Sequence, residues 1–141
     1  MGMLDNKVAI VTGATSGIGK RTAELFVTEG AAVVFTGRRK VEGEAIAQRL
    51  SKGASYVAAD ATSEADWQRV TSFAMKHHGR IDALFNNAGG PAPTGGIEDI
   101  SVDGFDNAMA LLVRSVMLER VPPHSNRGDS ARARGRRVYR H

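Results

Sequence analysis

The chain has 141 residues, enough for one domain with a modest hydrophobic core. Its 42% apolar and 24% charged residues are ordinary for a globular protein, and no run approaches the roughly 20 apolar residues that span a bilayer. The lack of cysteine excludes a disulfide, a thiolate metal site and a cysteine nucleophile.

The net charge of +4 is unevenly placed. Residues 1–119 hold 12 Lys and Arg against 14 Asp and Glu, whereas residues 120–141 hold 7 Arg against Asp129 alone. The basicity belongs to the tail, and a general nucleic-acid-binding surface is not expected. The opening Met1-Gly2-Met3-Leu4-Asp5-Asn6 has no charged-then-apolar leader, and Asn6 stands where a myristoylation signal wants Ser or Thr. A cytoplasmic location is expected.

Residues 7–12 are a short apolar run leading into glycine-rich sequence, as a buried parallel strand does. Residues 17–29 follow as a helix with Ile18, Thr22, Leu25 and Phe26 on one face and Gly30 as its stop. A second strand is expected at residues 32–36, a helix at 41–50 ending near Gly53, and a third strand at 55–59. Ser63 opens the next helix, with Asp66 completing a capping-box-like pair and Trp67, Val70 and Ala74 facing inward; Gly79 ends it. The fourth strand is expected at residues 81–85. After a Gly/Pro loop, Phe105, Met109, Leu112, Val113 and Val116 mark one amphipathic helix, stopped by Pro122 and Pro123.

Strands alternating with helices imply an α/β fold with a parallel sheet. Residues 1–121 make up this unit. Residues 122–141 are Arg-rich with little apolar material, too little to offset the ordering entropy of about 1–2 kcal/mol per residue, and are expected to be a disordered tail. Without interleaved aromatics, its arginines signal only non-specific attraction to phosphates.

Thr12-Gly13-Ala14-Thr15-Ser16-Gly17-Ile18-Gly19 lies where the first strand gives way to the first helix. Glycines there permit a tight turn and close backbone approach, and the helix start offers free N–H groups to phosphates. A Walker A loop is excluded, because Lys20 is followed by Arg21 and the glycine spacing differs. Asn86-Asn87-Ala88-Gly89 follows the fourth strand and Asp60 the third, at the sheet edge where ligands bind in open parallel sheets. Taken singly, Asp60 could cap a turn and the two asparagines could form one.

Together these motifs resemble the short-chain dehydrogenases/reductases over residues 4–119. The family's T-G-x-x-x-G-x-G is met by Thr12 to Gly19, its N-N-A-G by Asn86 to Gly89, and its adenine-holding acid by Asp60. The resemblance implies the incomplete first half of a doubly wound Rossmann-type sheet, about four strands in the order 3-2-1-4. It also implies a nicotinamide dinucleotide held by Gly13, Thr15, Ser16, Gly17, Ile18 and Gly19, with Asp60, Asn87, Ala88 and Gly89. At the end of the second strand, Gly37 takes what looks like the acidic ribose-binding position and Arg38 follows, which tilts the cofactor to NADP over NAD.

The family's chemistry uses a Tyr-x-x-x-Lys pair and a preceding serine. Here Tyr56 lies in the third strand, Tyr139 is followed only by Arg140 and His141, and no lysine follows Lys76. The family's asparagine in the helix after the Gly/Pro loop would align near Leu112. His77, His78, His124 and His141 have no metal-ligand spacing and read as surface residues. No catalytic residue is therefore assigned. The resemblance stops abruptly at Glu119, as truncation or a shifted reading frame would make it stop. A cofactor-binding fragment without hydride transfer of its own is expected. Alternatives are an oxidoreductase completed by a partner that supplies Ser, Tyr and Lys, or a non-catalytic dinucleotide-binding module. The fourth strand's open edge is expected to favour self-association.

Overall fold

Val8–Val11 is apolar at every position, and such a strand must be covered on both faces. In the computed structural model, which describes residues 2–121, it forms β1, buried throughout. Parallel strands β2 (Ala32–Gly37), β3 (Ala54–Ala58) and β4 (Ala83–Phe85) complete a sheet in the order β3-β2-β1-β4. This is the order the motifs imply. In register, Ile10 lies between Val34 and Leu84, and Val11 between Phe35 and Phe85.

Alternation along the strands feeds two cores. Val11, Val33 and Phe35 pack with Ala23 of helix α1 (Gly17–Thr28) and Ile46 of α2 (Lys40–Leu50). Ile10 and Val34 pack with Trp67, Val70 and Ala74 of α3 (Glu64–His78). The expected inner face of α3 is therefore the observed one, and the Ser63 hydroxyl accepts from the Asp66 N–H at 3.2 Å as the capping pair requires.

Three expectations need correction. The face of α1 was expected to carry Ile18 and Leu25, but both are exposed, and the buried residues are Gly19 and Ala23. Small residues let α1 lie close on the sheet, so the large apolar ones are turned away. Strand β4 begins at Ala83 rather than at residue 81; Ile81 is buried ahead of it. The last helix is not a uniform rod. It runs as α4 (Val102–Met109), a wider π-helical stretch (Ala110–Arg114) and α5 (Ser115–Leu118).

This last helical run also inverts its expected burial. Phe105, Met109, Leu112, Val113 and Val116 stay exposed, while Ser115 and Glu119 are the buried residues. Amphipathicity forecasts which face a helix would bury, provided a neighbour covers it; none among the described residues does so here. The tail, its stop at Pro122 and Pro123, His124 and His141, and Tyr139 lie outside the described residues.

Candidate functional site

The carboxyl ends of β1, β2 and β3 and the loop after β4 enclose a cleft of about 250 Å³. Of the residues singled out by sequence, Gly13, Thr15, Ser16, Arg38, Asp60, Ala88 and Gly89 line it. Gly17, Ile18, Gly19 and Asn87 do not.

The cleft is built on one threonine. Thr12 follows β1 directly, and its backbone N–H donates to the Phe85 carbonyl of β4 at 3.1 Å. Its hydroxyl accepts from the N–H groups of Asn87 at 3.1 Å and Ala88 at 3.0 Å, and donates to Glu119 Oε2 at 3.1 Å. The Asn87 side-chain amide donates back to the carbonyls of Thr12 and Gly13, each at 3.1 Å. Asn87 thus acts first as a brace between the two motifs. Gly19 fits the same brace, since a side chain there would run into the Asn87 amide and the Gly13 carbonyl.

Gly13 has φ +63°, and a Cβ on it would lie 2.7 Å from the Ala88 Cα. Gly17 has φ +56° with open space where a Cβ would be. The first glycine is needed for contact inside the protein, and the second leaves the start of α1 bare. Ser16, at the N-cap of α1, makes no side-chain cap, so the N–H groups of the first turn are left for an outside acceptor. Turn, bare helix start and cleft fit a diphosphate-bearing ligand.

Arg39, which the sequence reading passed over for Arg38, is held to the turn. Its Nε and Nη2 donate to the Thr15 hydroxyl at 3.3 Å and carbonyl at 3.1 Å. Arg38 makes neither contact and faces Asp60. The Asp60 carboxyl lies below its usual range, chiefly because Oδ1 accepts from the Thr62 N–H at 2.8 Å and hydroxyl at 2.7 Å; the Arg38 charge assists against burial. Asp60 therefore both caps its turn and lines the cleft. Leu111 and Thr36 also line it, and nothing in their spacing marked them beforehand.

Tyr56 serves structure. Its hydroxyl donates to the Gly37 carbonyl at 2.6 Å and its ring tilts against Phe35 at 5.5 Å. Burial, then the charges of Glu44 and Glu42, push its phenol up. His78 is less of a surface residue than expected: burial, then the charge of His77, lowers its imidazole, and its Nε2 is buried without a partner. Among the described residues no cluster of three or more His, Asp or Glu could hold a metal, and no helix is long and apolar enough to cross a membrane.

Comparison with known proteins agrees with this architecture. The family model for short chain dehydrogenase matches residues 7–120. Short-chain dehydrogenase reductase 5 of Arabidopsis thaliana is 38% identical over 112 residues, covering 79% of this chain and 43% of that protein. The 3-beta-hydroxysteroid dehydrogenase of Comamonas testosteroni is 38% identical over 102 residues, covering 70% of this chain and 40% of the relative. A crystal structure of 3-ketoacyl-(acyl-carrier-protein) reductase from Brucella melitensis, complexed with NADH, superposes with TM-score 0.79 at 37% identity, covering 82% of this chain and 48% of that one. The chain thus spans less than half the length of these proteins. Over the residues it shares with them, it belongs to the short-chain dehydrogenase family.

Proposed function

We propose that this chain binds a nicotinamide dinucleotide in the cleft above β1–β3, prefers NADP to NAD, and does not transfer hydride by itself. The observation that carries the reading is the joining of the Thr12–Gly19 turn and the Asn87–Gly89 loop by the Thr12 and Asn87 hydrogen bonds, with Arg38 and Asp60 across the cleft. The diphosphate would rest on the turn and on the N–H groups of Gly17, Ile18 and Gly19, where a helix start favours anions. Asp60 would accept from the adenine amino group. Arg38 would take the 2′-phosphate by charge-assisted hydrogen bonds, with no carboxylate at Gly37 to repel it.

Such a cofactor, when bound, supplies the hydride for carbonyl reduction. The proton needs a separate donor, and a placed general acid contributes about 10²–10⁴-fold. Tyr56 is tied to Gly37, and Asp60 stands four residues after it, where the pair needs lysine. Binding without turnover follows.

Partners are read from exposed surface. Among the described residues β4 pairs with β1 alone, and the apolar residues Phe105, Met109 and Val113 of the last helical run are exposed; an open edge and an apolar patch favour association of copies of this chain.

The test combines an NADPH fluorescence titration with a redox assay on ketones and quinones, repeated with Tyr139→Phe. Saturable NADPH binding with no turnover above the protein-free rate is expected. Turnover that Tyr139→Phe abolishes would overturn the non-catalytic reading.

A further inference from the structure

Glu119 is 3% exposed at the end of a helix whose apolar residues face outward. Its Oε2 accepts from the Thr12 hydroxyl across 107 residues of chain. The residues after it are seated on the sheet as well: Trp67 Nε1 donates to the Arg120 carbonyl at 2.9 Å, and Val121 packs against the core of Ile10, Val34 and Trp67. A hydroxyl has one proton to donate and two lone pairs to offer. Thr12 directs its proton to Glu119 and its lone pairs to the Asn87 and Ala88 N–H groups, so Glu119 fixes the orientation of the group that braces the cleft.

Among the described residues no cation pairs with Glu119. β1, β4 and α5 carry no titratable side chain. On α3, Glu64 faces Arg120 at 3.9 Å and Asp66 is paired with Arg69 at 3.0 Å, while Arg114 of the π-helical stretch is exposed. Burial pushes the Glu119 carboxyl up to about 7, and the Thr12 hydrogen bond only partly opposes it. An unpaired buried charge is costly, so the seated arrangement favours the neutral acid.

We propose that Glu119 is a proton-coupled clasp: as the neutral acid it seats residues 119–121 and holds the Thr12 brace, and its ionisation loosens both and weakens dinucleotide binding. Only the final step rests on the cofactor reading above. The sign follows from linkage. Seating is firmest below the ordinary glutamic acid range, weakens as pH rises toward about 7, and is weakest above it.

Trp67 is the only tryptophan, so its emission reports the seat directly. Emission and NADP affinity are measured from pH 5 to pH 8.5 for wild type, Glu119→Gln, Thr12→Ser and Thr12→Val. Wild type and Thr12→Ser are expected to red-shift as pH rises, with NADP affinity falling by up to about tenfold as the competent fraction drops. Glu119→Gln, neutral throughout, is expected to keep its low-pH emission and a constant affinity. Thr12→Val, which removes the hydrogen bond that opposes the effect of burial, is expected to move the emission response to higher pH. His78 of α3, its imidazole lowered by burial, is present in every variant, so a response that wild type shares with Glu119→Gln, or the lack of one in wild type, would overturn the clasp. An emission response without NADP binding at any pH would leave the clasp standing and overturn the cofactor reading.

Discussion

The side-chain amide of Asn87 donates to the carbonyl of Gly13 at 3.1 Å, joining two loops 74 residues apart. The same amide reaches the Thr12 carbonyl, so both of its protons are used inside the protein. Asn87→Asp puts a carboxylate against two carbonyl oxygens, whereas Asn87→Ala only empties the space. Both are expected to destabilise the fold, Asn87→Ala by about 1–3 kcal/mol and Asn87→Asp by more. Urea unfolding followed by circular dichroism measures the order; equal stability of Asn87→Asp and wild type would show that the brace is absent in solution.

Gly13 and Gly17 both hold positive φ but differ in what surrounds them. Alanine at Gly17 meets open space, so its cost is the left-handed backbone alone, about 1–2 kcal/mol. Alanine at Gly13 adds the contact with Ala88 and is expected to cost more. Gly17→Ala is expected to retain a cooperative thermal transition, and Gly13→Ala to lower Tm further. Equal losses would place the Ala88 loop farther from the turn than 2.7 Å.

Arg38 faces Asp60, while Arg39 is held by Thr15. Arg38→Ala is expected to weaken NADP binding with little effect on NAD, and Gly37→Asp to favour NAD. Competition titrations of the two cofactors read this directly. An Arg39→Ala variant that loses NADP selectivity while Arg38→Ala keeps it would move the phosphate contact to Arg39.

Asp82 gives the acid limb of stability. Burial raises its carboxyl, but the Arg80 side chain, the Val8 N–H at 2.8 Å, and the charges of Arg80 and Lys7 outweigh that and lower it. A depressed carboxyl contributes stability that is present above its unfolded range and is lost as pH falls through the folded one. Asp82→Asn is therefore expected to be less stable than wild type at neutral pH and to show a flatter decline into acid. Parallel stability curves from neutral pH to about pH 2 would contradict this.

The apolar face of Phe105, Met109, Val113 and Met117 and the outer edge of β4 are both uncovered among the described residues. Val113→Lys and Phe105→Glu are expected to reduce light scattering and the binding of an apolar dye. If neither signal changes and the open strand edge drives association, a charge at Ala83 is expected to act instead, because Ala83 is exposed on β4.

The parts legible in the sequence were those where local chemistry and tertiary packing agree. Ser63 with Asp66 caps α3 and Trp67, Val70 and Ala74 face the sheet, because a capped helix on a covered sheet obeys its own periodicity. The sheet order was legible through motif positions alone. What escaped was set by neighbours distant in sequence. Ile18 and Leu25 point outward because Gly19 and Ala23 let α1 lie close to the sheet. Arg39 is set by the Thr15 carbonyl. Glu119 looked like the first unfamiliar residue, yet its partner is Thr12, and no periodicity announces a buried carboxyl at the end of a helix with an uncovered apolar face.

The most direct measurement is calorimetric titration of the full chain with NADP, NAD and AMP, alongside Gly13→Val, which places a branched side chain against Ala88. Saturable heat with NADP, weaker binding of NAD, and loss of both in a Gly13→Val protein that still folds are expected. No heat with any of the three, or unchanged binding in folded Gly13→Val, would contradict a dinucleotide site on this turn.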